Sequence, residues 1–231
     1  MRRYALMLAL LLAACGETGQ ERLSVAVAAR GGPATFTAGL WDVTLSEALV
    51  AVGPIYWCAT AAASADLCPA ATFELTQSAT VDGLAPDAQL IGTADGVTGE
   101  VRSAVYDYGI SWLATQNQPT PTSGSVDGSS ARFAGVATTT GRSLAFTAVI
   151  DITPQLQGTY AVQGARAAAT IAPSTTSLTL TARPDLWFAA VDFDAAAPAD
   201  ATSVEITSDS VAGNTVRIGM TANVPLTFTW E

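Results

Sequence analysis

The sequence contains no histidine and no lysine, and each absence excludes a class of chemistry. Without histidine there is no imidazole metal site, no Ser-His-Asp triad and no histidine general base. Without lysine there is no Schiff-base chemistry and no phosphate-binding P-loop. The 10 cationic side chains are all arginines, and 20 acidic residues give the 231-residue chain a formal net charge of −10. We therefore expect no nucleic-acid binding, because phosphate neutralisation needs clusters of cations.

Charged residues make up only 13% of the chain, and the longest uncharged apolar run lies at its start. Arg2 and Arg3 precede this run, which covers residues 5–14. A permanent membrane-spanning helix needs roughly 20 residues, so the run is too short to be one. The order of charged and apolar residues is instead typical of a secretory signal peptide.

The run ends in Leu12-Ala13-Ala14-Cys15, which resembles the lipobox of bacterial lipoprotein precursors. The resemblance implies that the chain is cut before Cys15 and that this cysteine carries covalent lipid. Stable anchoring takes two or more acyl chains, which a lipoprotein cysteine supplies. Gly16, where an aspartate would favour inner-membrane retention, implies the outer membrane rather than the inner one. The alternative is an ordinary signal peptide cut after Ala14.

These assignments divide the chain into a signal peptide (1–14), a lipidated cysteine with its tether (15–21) and a single domain (22–231). Removal of the signal peptide leaves 8 arginines against 20 acidic residues, a net charge of −12. The domain contains Cys58 and Cys68, ten positions apart. In an oxidising compartment such an isolated pair predicts a disulfide. A two-cysteine metal site, with further ligands from elsewhere, is the alternative.

The domain sequence alternates between apolar and polar residues, which predicts an all-β, antiparallel β-sandwich with one or two short helical turns. The apolar positions switch from odd to even near Ser46-Glu47, as a β-bulge would cause. Thr140-Gly141 predicts a hairpin, and two strands are expected to pair across Ala172–Ser174. The helical turns are expected at Pro184–Val191 and Gly109–Leu113. The alternation of Val216, Ile218 and Met220 predicts a strand near the C-terminus. The expected core residues are Trp41, Val43, Leu45, Val50, Phe133, Leu144, Phe146, Leu178, Leu180, Ile218, Phe228 and Trp230.

The most acidic loop contains Asp192, Asp194 and Asp200. Converging carboxylates bind Ca²⁺, so these three are candidate ligands, although a solvated acidic loop explains them as well. An enzyme of this composition would have to use carboxylates, tyrosine or a metal for catalysis. We expect that the protein is not an enzyme. A second candidate site is an aromatic stacking platform, for which core packing is the alternative. Its members would be Trp41, Tyr56, Trp57, Tyr106, Tyr108, Trp112 and Trp187.

The stretch Leu178–Phe188 joins a strand to a Trp-Phe pair and resembles the corresponding stretch of MbnP-like envelope proteins, some of which handle copper. Copper sites in that family use histidine, which is absent here. Met220 is the one methionine that remains after removal of the signal peptide. The resemblance therefore implies no metal ligands in this chain.

The function expected from these observations is a non-catalytic envelope lipoprotein, a binding or assembly module tethered near a membrane partner. Its negative charge would repel anionic lipid heads, which favours an envelope protein or a small ligand as partner. No cofactor is expected beyond the lipid on Cys15. The alternative is a metal-dependent domain, either a Ca²⁺-stabilised binding module or a carboxylate-metal hydrolase.

Overall fold

The structure is a computed structural model that describes residues 19–61, 68 and 70–231. The signal peptide, Cys15 and the tether as far as Thr18 lie outside these residues. The strands, β1 to β16 in chain order, are Arg22–Arg30, Thr35–Ala38, Trp41–Val52, Ile55–Cys58, Ala71–Leu75, Ala79–Asp82, Gln89–Val97, Gly99–Tyr106, Ile110–Ser111, Thr120–Pro121, Ala131–Thr139, Arg142–Ile150, Val162–Ile171, Ser177–Thr181, Ser203–Thr207 and Thr227–Trp230. The helices, α1 to α3, are Pro184–Phe188, Phe193–Ala196 and Val211–Ile218, and a π-helical segment, Gly219–Asn223, follows α3. The predicted all-β class is confirmed.

Sheet A contains eight strands in the order β13-β8-β4-β5-β7-β1-β14-β16. All neighbours in it are antiparallel except β1 and β14, which run parallel. Strands β13 and β16 stand at the two ends of this order, yet some of their Cα atoms lie within 8 Å of each other. The sheet therefore curls strongly. This curl encloses the inner face of the sheet and brings its first and last strands together.

Sheet B has the order β15-β12-β11-β3-β2, with β6 paired to β3 as a sixth strand. Strand β3 changes its buried face midway, since Leu45 pairs with Gly135 but Glu47 pairs with Ala134, which leaves Ser46 unopposed. The predicted β-bulge is thereby confirmed. The β11–β12 hairpin is confirmed as well, with Thr140-Gly141 as its two-residue loop.

One hydrophobic core lies between the two sheets, and a series of neighbouring aromatic rings crosses it. Successive ring centroids are 5.0–6.5 Å apart. Each ring buries a large apolar surface, and mainly edge-on or tilted contacts stabilise such neighbours further. This aromatic cluster consists of Phe73, Trp230, Trp57, Phe228, Tyr106, Tyr108, Trp187, Phe133, Phe188, Phe146, Phe193 and Trp41.

Small residues opposite the large rings make the close packing in sheet A feasible. Ala104 is paired with Trp57, and Gly96 is paired with Phe73. A Cβ atom at Gly96 would overlap the Phe73 ring and the Thr72 carbonyl oxygen. The alternation of large and small side chains across neighbouring strands therefore fixes where the aromatic cluster can lie.

The C-terminal region corrects the prediction of a strand around Val216, Ile218 and Met220. These residues lie in α3 and in the π-helical segment after it, because Ala212, Val216 and Met220 recur every four positions and share a buried face. Ile218 was expected in the core but is 38% exposed, on the opposite face. The described residues contain three α-helices rather than the one or two expected.

Two further predictions of local structure were wrong, and one was confirmed. Strands β13 and β14 do not pair across Ala172–Ser174, since β14 lies between β1 and β16, far from β13 in the strand order. Gly109–Leu113 contains β9, which pairs with β10, rather than a helical turn. The helix expected from Pro184 does form, as α1, with the proline in its first turn.

Candidate functional site

The two cysteines of the domain form the predicted disulfide, which closes a loop at the end of β4. The Cα atoms of Cys58 and Cys68 are 5.1 Å apart. Cys58 is fully buried, and the backbone N–H of Cys68 donates to the Thr60 hydroxyl. The disulfide therefore ties Cys68 to the end of β4 and is part of the framework of the fold.

The three candidate calcium ligands are used in different ways. Asp192 caps the N-terminus of α2, where its Oδ1 accepts hydrogen bonds from the backbone N–H groups of Asp194 and Ala195, both at 3.0 Å. Asp194 faces Trp41 and Arg142, and Asp200 is exposed. Within the part of the chain that the structure describes, no group of three or more His, Cys, Asp or Glu side chains gathers as a metal site.

Arg142 is a site residue that the sequence analysis missed. Its guanidinium lies 5.1 Å from the centre of the Trp41 ring and 3.3 Å from Asp194 Oδ1. The same group donates to the backbone carbonyls of Ala197 and Pro198, at 3.2 and 2.5 Å. Its position directly after the Thr140-Gly141 turn gave no signal of these contacts, because they depend on how the α2 segment folds back over sheet B.

A cleft of about 350 Å³ lies beside this arginine, between the β2–β3 turn and the α1–α2 connection. We call it the Trp41 cleft; residues 38–41 form one wall and residues 189–194 the other. Gly39 has a φ of +60°, and Ala38 pairs with Trp41, so Gly39 and Leu40 form a two-residue hairpin turn. Glycine at the first position of such a turn is typical of type II′ hairpins. The turn presents the Leu40 side chain to solvent, 87% exposed.

The walls of the Trp41 cleft combine apolar groups with two carboxylates that already form hydrogen bonds or an ion pair within the domain. Ala189, Ala190 and Val191 provide apolar surface, and the Trp41 indole N–H donates to Asp194 Oδ2 at 3.3 Å. Since Asp194 also pairs with Arg142, its charge is largely offset. The cleft is therefore suited to an apolar group, with Leu40 at its rim as an additional contact.

The aromatic platform considered in the sequence analysis is mostly part of the core. Trp41, Trp57, Tyr106, Tyr108 and Trp187 are buried. The hydroxyl of Tyr108 donates to the Met220 carbonyl oxygen at 3.0 Å, and that of Tyr106 accepts from the Leu226 N–H at 2.8 Å. Burial raises the pKa of both tyrosines above its ordinary value, so both hydroxyls remain protonated and serve to hold the C-terminal segment.

Asp107 is a buried carboxyl group that follows β8, 1% exposed. Its two oxygens accept hydrogen bonds from the Ser111 hydroxyl at 2.7 Å and from the Ala161 N–H at 2.8 Å. Burial raises the pKa of Asp107 to about 6, and these two hydrogen bonds limit the rise. Asp107 was not a candidate from the sequence, because an aspartate between two tyrosines is not distinctive until its burial is known.

In the described residues, no helix has both the length and the apolar character needed to cross a membrane. Comparison of the chain with models of protein families, with curated proteins and with solved structures finds no match.

Proposed function

We propose that this protein is a non-catalytic lipoprotein of the bacterial cell envelope, held through lipid on Cys15 to the outer membrane, and that it binds an envelope protein. The Leu12–Cys15 motif supports the anchor. The Trp41 cleft, with the exposed Leu40 beside it, is the observation that supports binding. A large exposed apolar side chain next to an apolar cleft is a frequent feature of protein interaction sites.

The position of the domain relative to the membrane follows from the short tether. Residues 16–21 span at most about 20 Å when extended. The N–H of Glu21 donates to the Thr98 hydroxyl, and the N–H of Thr98 donates to the Glu21 carbonyl oxygen, so the domain begins at the β7–β8 turn of sheet A. The Trp41 cleft belongs to sheet B. Because the tether is short, the partner of this cleft is a protein that works close to the membrane surface.

The charge of the domain favours a protein partner over a lipid one. The mature chain has a net charge of −12, which repels anionic head groups at the membrane surface. The occupant that suits the Trp41 cleft is an apolar side chain on an envelope protein. A small apolar ligand is the alternative, and the experiment below separates the two.

A photoreactive amino acid in place of Leu40 tests the binding site in living cells. The matched control is the same substitution at Leu90, which is 74% exposed on β7 of sheet A. We expect Leu40 to give a crosslinked protein adduct that the Leu90 control does not give. A small-ligand site would give no protein adduct, and equal adducts at both positions would contradict the site.

The anchor is tested separately with a palmitate analogue and the substitution Cys15→Ala. We expect the natural chain to take up the label and to fractionate with the outer membrane. The variant should do neither. A variant that is still labelled and still fractionates with membranes would overturn the lipid anchor, whatever the crosslinking result.

A further inference from the structure

The segment Thr153–Ala161 connects β12 of sheet B to β13 of sheet A, and it contains neither strand nor helix. We call it the crossover segment. Most of its residues are exposed, among them Leu156 at 68%. Pro154 is its one buried residue, so its attachment depends largely on polar contacts, which makes it one of the parts of the fold that can open locally.

The crossover segment donates four hydrogen bonds to the rest of the domain. The Gly158 N–H donates to the Trp112 carbonyl oxygen at 2.7 Å, and the Gln157 side-chain amide donates to the carbonyl oxygens of Ala114 at 3.0 Å and Gln116 at 2.6 Å. At the C-terminal end of the segment, the Ala161 N–H donates to the buried Asp107 carboxyl. The last of these is the contact in which a titratable group takes part.

In the part of the chain that the structure describes, Asp107 is not paired with a cation. None of the salt bridges found there includes it. The titratable groups near it are Tyr56 of β4 and Tyr160 of the crossover segment, whose rings are 5.1 Å apart, with Glu74 of β5 close to both. All of these are neutral or negative, so an ionised Asp107 is stabilised only by its hydrogen bonds.

Both protonation states of Asp107 can keep the same two partners. The ionised group accepts from Ser111 and Ala161, whereas the protonated group accepts from Ala161 and donates to the Ser111 oxygen. The difference between the states is the cost of a buried charge, which the protonated state avoids. Opening of the crossover segment would hydrate the carboxylate and remove that cost.

We propose that Asp107 and the crossover segment form a pH-dependent cover, in which the segment is held closed over this carboxyl while it is protonated and opens more readily once it ionises. The pKa of Asp107 is raised by burial to about 6, from an ordinary value of 3.8. The additional stability of the closed form is therefore complete below about pH 4. It is lost as the pH rises through 6.

Hydrogen exchange of the mature protein, read by mass spectrometry on the peptide that covers residues 153–161, tests the cover. After correction for intrinsic exchange rates, we expect the opening equilibrium constant to rise about 50-fold between pH 4 and pH 7. Amides of β11 and β12 serve as the internal reference and should not follow this rise. An opening constant that is the same at both pH values would overturn the proposal.

The substitution Asp107→Asn mimics the protonated carboxyl, since its amide can accept from Ala161 and donate to Ser111. We expect this variant to lose the pH dependence and to stay closed at pH 7. Asp151→Asn, at an exposed carboxyl just before the crossover segment, is the matched control and should behave as the natural chain. Asp107→Asn with an unchanged pH dependence would overturn the proposal.

A second measurement does not depend on whether Asp107→Asn folds. Carbon-detected NMR of the natural mature protein follows the Asp107 carboxyl directly. We expect its titration midpoint near pH 6, together with slower exchange of the crossover segment below it. A midpoint near pH 4 would overturn the cover. Neither measurement depends on the lipid anchor or on the Trp41 cleft.

Discussion

At the residue scale, Arg142 differs from the other arginines in how many contacts one side chain makes. Its side chain is 16% exposed, against 58% for Arg102, which pairs with Glu100 on the surface. Hydrogen bonds that involve a charged group contribute about 1.5–3 kcal/mol, whereas an exposed ion pair contributes about 0–1 kcal/mol. We expect Arg142→Gln to lower the free energy of unfolding in urea by about 2 kcal/mol and the control Arg102→Gln by under about 1 kcal/mol. Equal losses would contradict the role of Arg142.

The roles of Asp192 and Asp194 predict how the protein responds to calcium. One carboxylate caps a helix and the other pairs with Arg142, so neither is free to join a cluster of oxygen ligands. We therefore expect the melting temperature to be unchanged by Ca²⁺ and by a chelator added afterwards. A bound metal at 100 times its dissociation constant would add about 2.7 kcal/mol, which is a shift of several degrees. Such a shift, abolished by Asp192→Asn, would favour the metal-dependent alternative.

At the scale of the element, α3 depends on one glycine. A Cβ atom at Gly213 would overlap the carbonyl oxygen of Thr207, which belongs to the rigid backbone of β15. In an ordinary helix interior, Gly→Ala stabilises by about 1 kcal/mol. Here we expect Gly213→Ala to lower the free energy of unfolding by about 2 kcal/mol or more, because α3 must move away from sheet B. Asn214→Ala, exposed on the same helix, is the control and should change stability by under about 0.5 kcal/mol.

The elements also show which parts of the fold the sequence determines locally. The bulge in β3 was predictable, because the switch of apolar residues from odd to even positions directly records which side chains are buried. The helix α3 was not, because Val216, Ile218 and Met220 also alternate as a strand would. The signals for a helix were the Ser210 N-cap and the four-residue spacing of Ala212, Val216 and Met220. Alanine and valine are such common residues that this spacing is not conspicuous in the sequence.

Strand partners and site contacts were beyond such reasoning, because they join residues that are distant in the chain. The parallel pairing of β1 with β14 leaves no trace in the alternation of either strand. The contact of Trp41 with Asp194 and the burial of Asp107 likewise depend on how distant segments pack. The cysteine pair was an exception, because Cys58 and Cys68 are the two cysteines of the domain and each is therefore the other's simplest partner.

At the scale of the whole molecule, the disulfide contributes stability through the unfolded state. Cys58 and Cys68 close a loop of ten positions. The chain-entropy model gives about 2–3 kcal/mol for a loop of that size. We expect the double substitution Cys58→Ala with Cys68→Ala to lower the melting temperature by roughly 5–10 °C while the far-UV circular dichroism stays that of a β protein. An unchanged melting temperature would contradict this contribution.

The strand order of sheet A determines when the protein can finish folding. β1, near the start of the domain, is flanked on one side by β14, and β14 is completed only by β16, the last strand of the chain. A nascent chain cannot complete this sheet until β16 has left the ribosome, and pairings between such distant segments form slowly. Trp57 and Phe73 lack their contacts with Phe228 and Trp230 until then. This delay would suit the export proposed above, in which a chain crosses a membrane before it folds.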